Sequence, residues 1–220
     1  MKNIWILSEE RPKAKVVEKI LCDILKYDIS SKEKIKIIPI GSEQCFSFIY
    51  EVTGIKLVSF EKVYIRIVKG ESSFVDYMVF EKEEEPNQND MPVILIEETK
   101  TDDTESRNVH AFQRNSKFVY GDMCYPNIRK VMLYTDELNH NQTHPTTTNI
   151  FGTDILLTLN VEVFGKNIDK NIYKKFESIE ELIEQKNNMP ETVNGQSIKL
   201  KREGEKIYIS AKLDKRKWIY

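Results

Sequence analysis

Asp76 and the triplet Glu98-Thr99-Lys100 are the residues of this chain whose types and spacing could do chemistry together. Glu98 and Lys100 close an apolar run, PVILIE, that reads as a strand over residues 92–99. Side chains alternate along a strand, so Glu98 and Lys100 emerge on one side and Thr99 on the other. Asp76 stands in the preceding strand-like segment, FVDYMVF, joined to the first by the polar stretch EEEPNQND. If the two strands pair, Asp76 comes to lie beside Glu98. Glu97 is the alternative, because a one-residue slip in register would turn its carboxylate to that face instead. Over residues 71–105, twelve acidic residues stand against Lys82 and Lys100, a net of -10. Over residues 166–220, thirteen Lys and Arg stand against nine Asp and Glu, a net of +4. An acidic centre with more basic flanks suits a cation site beside a polyanion-binding surface. The acids of the run EKEEE, taken alone, read as a solvated loop.

Asp76 followed by Glu98-x-Lys100 resembles the signature of the PD-(D/E)XK nuclease superfamily, which includes most type II restriction endonucleases. The resemblance covers residues 74–136, less than a third of the chain. It departs from the common pattern at Val75, where the family often has proline. The resemblance implies that Asp76 and Glu98 hold Mg²⁺, with the Thr99 carbonyl as a third ligand, and that Lys100 orients or activates the attacking water. Phosphodiester hydrolysis develops negative charge on the attacking and leaving oxygens, which one or two Mg²⁺ ions stabilise. Magnesium takes hard oxygen ligands and keeps several waters, so one or two carboxylates suffice. The implied enzyme is a site-specific endonuclease of the type II restriction kind that hydrolyses double-stranded DNA, as a homodimer, since a two-fold protein suits a palindromic site. A repair or junction-resolving nuclease of the same fold is the alternative within enzymes. A non-catalytic domain, with Glu98 and Lys100 as a structural ion pair, is the alternative outside them. Glu71, Asp102 and Asp103 are candidates for an outer metal shell, with a solvated role the simpler reading.

The segment after the motif predicts a helix over residues 106–123. Along it His110, Arg114 and Lys117 fall on one face, a cationic stripe suited to phosphates. A solvated basic face explains the same spacing. Gln113 is placed to approach the site, and Val109, Phe112, Val119 and Met123 are available for the core. The polar stretch 136–149, containing NHNQTHPTTTN, is dense in side chains that both donate and accept hydrogen bonds. Asn141, Gln142 and Asn149 are the candidate base readers, matched to an A·T-rich site because Asn and Gln pair with adenine. An ordinary polar loop is the competing reading. His140 and His144 have a metal-like spacing, but Pro145 and the polar neighbours set them in that loop.

Positioning these residues requires strands over 3–8, 35–40, 45–52, 63–69, 74–82, 92–99, 130–135 and 161–164. Helices are expected over 12–27, 106–123, 151–159 and 178–186, the last with Ser178-x-x-Glu181 as a capping box. A hairpin over 197–202 and 206–213 turns near Glu203-Gly204. The predicted fold class is α/β, with a central mixed sheet flanked by helices, as in a restriction endonuclease-like core. One domain is expected over 1–220, with a catalytic core about 60–136 and an elaboration over 166–220. Cys22, Cys45 and Cys124 form no zinc spacing. No GxGxxG or P-loop occurs, so no nucleotide cofactor is expected. The opening MKNIWILSEERPK is too short in apolar run for a signal peptide or a span, so a cytoplasmic protein with no membrane partner is expected.

Overall fold

Ile4, Trp5 and Ile6 are apolar on both sides of a strand, a pattern that is stable in the middle of a sheet with both faces covered. They form β1 (Asn3–Ser8). This strand pairs in parallel with β4 (Val63–Ile67) and antiparallel with β5 (Tyr77–Lys82). With β2 (Ile29–Ser42), β3 (Cys45–Leu57), β6 (Ile94–Thr99), β7 (Arg129–Tyr134) and β8 (Val161–Phe164) they make one sheet, in the order β2-β3-β4-β1-β5-β6-β7-β8. The computed structural model describes residues 1–42, 45–68, 75–99, 109–135, 147–188 and 197–212. The protein is α/β with a central mixed sheet, as its sequence predicts.

Chain contacts divide it into two units. The first is Met1–Asp102, Gly121–Leu138 and Val163–Lys166; the second is Asp103–Tyr120, Asn139–Glu162 and Asn167–Tyr220. In the first unit, α1 (Ala14–Glu18) runs on as a π-helical stretch over Lys19–Ile24. Its Val16, Val17, Ile20, Leu21 and Ile24 cover one sheet face, against Ile4, Ile6, Ile65, Val79, Ile94, Ile96 and Leu133. The helix is shorter than the expected 12–27, and Lys26, at φ 55°, turns the chain out of it. The opposite sheet face carries Trp5, Val75, Met78, Phe80, Leu95 and Ile128, with Trp5 stacked on Tyr64 at 4.6 Å.

β1 and β4 are parallel, β6 and β7 are parallel, and β5 is antiparallel to both β1 and β6. The carboxyl ends of β1, β4, β6 and β7 therefore share one sheet edge with the start of β5. In open α/β sheets that edge is where ligands bind, because the loops that leave it can converge on one point.

β2 and β3 are longer than the expected 35–40 and 45–52. Lys32, Lys34 and Lys36 are exposed on β2, which lies at the sheet border; charged side chains protect a border strand and hide it from an apolar pattern. Gly54 in β3, at φ +83°, faces a register irregularity between Lys32 and Lys36. A Cβ there would come within 2.3 Å of the Lys34 carbonyl oxygen.

The second unit packs the amino-terminal part of α2 (Val109–Cys124), α3 (Thr147–Thr158), α4 (Ile179–Asn187) and the hairpin β9 (Ser197–Glu203)–β10 (Lys206–Lys212). Ser178 caps α4 as expected, its hydroxyl accepting the Glu181 N–H at 3.1 Å. Among the described side chains of α2, Asn115, Phe118 and Gly121 are buried, while Met123 is exposed and Val119 intermediate. Of the expected core residues, Met123 thus faces outward and Val119 is only partly covered, while the side chains of Val109 and Phe112 lie outside the described residues. α3 begins at Thr147 instead of residue 151, so Asn149 is helical. Asp154, fully buried, is ion-paired with Lys186 at 2.9 Å and accepts the Lys174 N–H at 2.8 Å. The Lys186 ammonium also lies 4.3 Å from the centre of the Phe151 ring. Among the described residues no helix is long and apolar enough to cross a membrane.

Two stability outcomes follow. Gly54→Ala should destabilise the chain by about 1–3 kcal/mol in urea titration, because it combines left-handed backbone with a backbone clash. Lys186→Met should cost about 3–5 kcal/mol by leaving a buried carboxylate without its cation, and adding Asp154→Leu should recover most of that loss.

Candidate functional site

The β5–β6 ladder pairs Tyr77 with Ile96, Met78 with Leu95 and Val79 with Ile94. One step further, Asp76 stands level with Glu97, at the shared sheet edge. The regular ladder ends there, and carboxylates take over its hydrogen bonds. Asp76 Oδ2 accepts the Glu98 N–H at 2.7 Å, and Glu97 Oε2 accepts the Asp76 N–H at 3.3 Å. Strand alternation also breaks at this point. Val75 packs with Trp5, Met78 and Phe80, on the face opposite Tyr77 and Val79.

Glu97 and Glu98 differ in surroundings. Glu97 follows Leu95 onto one face and is 2% exposed, whereas Glu98 is partly exposed. Both Glu98 carboxylate oxygens accept hydroxyl donors. Tyr77 donates its phenolic hydrogen to Oε2, and Thr135 Oγ1 lies 2.9 Å from Oε1. Thr135 Oγ1 is also 3.3 Å from the Thr99 carbonyl oxygen. A hydroxyl has one hydrogen, and the shorter contact assigns it to Glu98. The Thr135 N–H meets the Thr99 carbonyl at 3.0 Å, so that carbonyl serves the link between β6 and the end of β7. Thr99 itself is 1% exposed.

Burial raises the Tyr77 phenol above its ordinary value, and the Glu98 carboxylate adds to this by accepting its hydrogen and by its charge. The charges of Asp76 and Glu10 act in the same direction. One phenol therefore reports three carboxylates around it. Glu10 reaches this position because β1 ends beside the start of β5, with Ser8 level with Tyr77, and the Ser8 hydroxyl donates to the Glu10 carbonyl at 2.6 Å.

Among the described residues, no three His, Cys, Asp or Glu side chains form a ready cation-holding group. Magnesium needs fewer, since one or two carboxylates and its own waters complete its shell. Asp76 and Glu98 are hard-oxygen donors, and a carboxylate oxygen that accepts one hydrogen bond keeps a second lone pair. Their chemistry fits the ion.

The structure brings Asp76, Glu98 and Thr99 to one sheet edge. Lys100, Asn141 and Gln142 lie outside the described residues, as do Glu71, Asp102, Asp103, His140 and His144. His110 and Gln113 are in the first turns of α2, with side chains outside the described residues. Arg114 and Lys117 are on α2 and partly exposed. Asn149 is 3% exposed, with its amide oxygen 3.4 Å from the Thr153 hydroxyl and 3.5 Å from that of Tyr173. That amide is engaged inside the second unit, whereas a base reader must face outward.

Sequence reasoning missed Tyr77, Thr135 and Glu10. Thr135 had a usable signal, since it ends the strand expected over 130–135. Tyr77 carried a weaker one as the neighbour of Asp76, and Glu10 none. Comparison with protein-family models, curated proteins and solved structures gives no match to this chain.

The raised phenol has a pH consequence. The folded state keeps the Tyr77 hydrogen where the unfolded chain, with a phenol pKa of about 10, gives it up. This contribution is whole below about pH 10 and is lost as pH rises further. Urea unfolding at pH 9 and pH 11 should show wild type losing more stability over that interval than Tyr77→Phe. Equal losses would mean that Tyr77 ionises freely in the folded protein.

Proposed function

We propose that this protein is a Mg²⁺-dependent nuclease that hydrolyses phosphodiester bonds of double-stranded DNA, with Asp76 and Glu98 as metal ligands. The observation that carries this reading is the meeting of Asp76 and Glu98 where the β5–β6 ladder ends, a carboxylate oxygen of one accepting the amide N–H of the other at 2.7 Å. The mixed α/β sheet, with parallel β6 and β7 ending at the same edge, is consistent with it. Magnesium, when bound, supplies stabilisation of the charge that develops on phosphate oxygens. The chain's own residues do the positioning. Asp76 holds the end of β6, while Tyr77 and Thr135 orient the two oxygens of Glu98. Glu97, buried and accepting the Asp76 N–H, has a structural role. Lys100 takes the part that the resemblance implies, orienting or activating the water. The proposal extends to site-specific cleavage by a homodimer, of the type II restriction kind, at an A·T-rich site.

One observation favours a second reading. Both oxygens of Glu98 already have hydroxyl partners, as a purely structural carboxylate would. Plasmid cleavage in Mg²⁺ separates the two. Asp76→Asn and Glu98→Gln keep the shape and an acceptor oxygen but remove the charge. Each should lower the cleavage rate about 100-fold or more, roughly 3 kcal/mol of transition-state stabilisation, with little change in melting temperature. Glu97→Gln should retain far more activity than Glu98→Gln. Absence of Mg²⁺-dependent cleavage by the wild type would reject the enzyme reading. A reversed order of the two glutamates would move the metal ligand to Glu97.

A further inference from the structure

The β9–β10 hairpin has two different faces. Its register sets Leu200 opposite Ile209 and Arg202 opposite Ile207. Leu200, Ile207 and Ile209 pack with Ile155, Leu182, Leu159, Phe176 and Ile183, so this face is the seat of the hairpin on α3 and α4. Arg202 is tied down on the same face, to Glu180 at 2.7 Å. Cross-strand partners share a face, so the other side carries Lys199 opposite Ser210, Lys201 opposite Tyr208, and Glu203 opposite Lys206. All six are exposed, Tyr208 at 48%. Lys201 meets Glu203 at 2.5 Å, a contact between well-exposed side chains that competing counterions screen readily. The face therefore offers three lysines against one acid, a hydroxyl, and an aromatic ring with a polar tip.

We propose that this outward face of β9–β10 is a docking surface for double-stranded DNA, which it engages through the phosphate backbone. Charge complementarity argues for a polyanion, since lysines that neutralise phosphates release condensed counterions. The shape argues for a duplex. Two strands lie about 4.8 Å apart, and a two-stranded ribbon fits the major groove, roughly 12 Å wide. The face lacks the exposed aliphatic side chains expected at the centre of a protein–protein contact. Its inner face is seated on a core, so the lysine backbones are held in place before binding. This inference rests on the reading that double-stranded DNA is the substrate, but it is tested without cleavage.

The experiment measures anisotropy of a fluorescein-labelled duplex over a salt series, in EDTA, using the full chain. Wild type is compared with Lys199→Gln/Lys201→Gln/Lys206→Gln, and with Lys34→Gln/Lys36→Gln/Lys56→Gln as an equal-charge control on β2 and β3. The hairpin variant should lose at least about tenfold in affinity at low salt, and its slope of log K against log salt should flatten by about 2–3 units. The control should stay near wild type, and all three proteins should melt alike. A wild type that binds no duplex would overturn both this inference and the DNA-substrate reading. Binding that the hairpin variant retains in full, or loses only as much as the control does, would overturn the hairpin surface alone. Stronger competition by an RNA duplex of the same sequence than by unlabelled DNA would overturn the assignment to DNA.

Discussion

Where the β5–β6 ladder runs out, the backbone groups at its end need partners, and carboxylates supply them. Asp76 accepts the amide N–H of Glu98, and Glu97 accepts that of Asp76. An amide left without an acceptor in such a partly buried place costs about 1–3 kcal/mol, so these bonds help to hold the two strand ends together. The same bonds draw three acids to one place, where their like charges oppose each other. Donors at Tyr77 and Thr135 offset part of that repulsion. A divalent cation would offset more, which is the physical connection between the way the ladder ends and the function proposed for it.

The edge at which this happens follows from strand direction. β1, β4, β6 and β7 deliver their carboxyl ends to it, and β5 begins there. Side chains distant in sequence thereby meet: Asp76 and Tyr77 at the start of β5, Glu98 at the end of β6 and Thr135 after β7. The apolar clusters on the two sides of the sheet make the arrangement stiff. A shift of β6 by one residue would turn Glu97 toward the cluster beneath α1 and withdraw Leu95 from Trp5 and Phe80.

The second unit handles buried charge differently. Asp154 and Lys186 are both deep and neutralise each other, with aromatic rings beside the ammonium. Such a pair has little net effect on stability compared with apolar residues, but a large one if either member is removed. The first unit instead leaves its acids at an edge that reaches solvent. That contrast is why the Asp76–Glu98 cluster, and not the Asp154–Lys186 pair, is read as the seat of chemistry.

The α/β class, most strand positions, the Ser178 cap and the closing hairpin were legible from periodicity and turn residues, because those are local properties of the chain. Asp76 and Glu98 were legible as a pair because, with Lys100, they resemble a metal-binding signature carried on two successive apolar strands. The roles of Glu97 and Glu98 were not. In ILIEET both faces are buried, so apolar alternation carries no preference for one acid over the other. The phase of α2 was equally open, since apolar residues occur on several of its sides and its neighbours select Phe118. Asn149 looked like a loop residue because its polar neighbours mask a helix start. Sequence by itself determined which elements form and which residues carry charge. Tertiary structure decided which carboxylate is buried and which is clamped by Tyr77 and Thr135, because hydrogen bonds across 21 and 37 residues of chain exist only after the sheet has assembled.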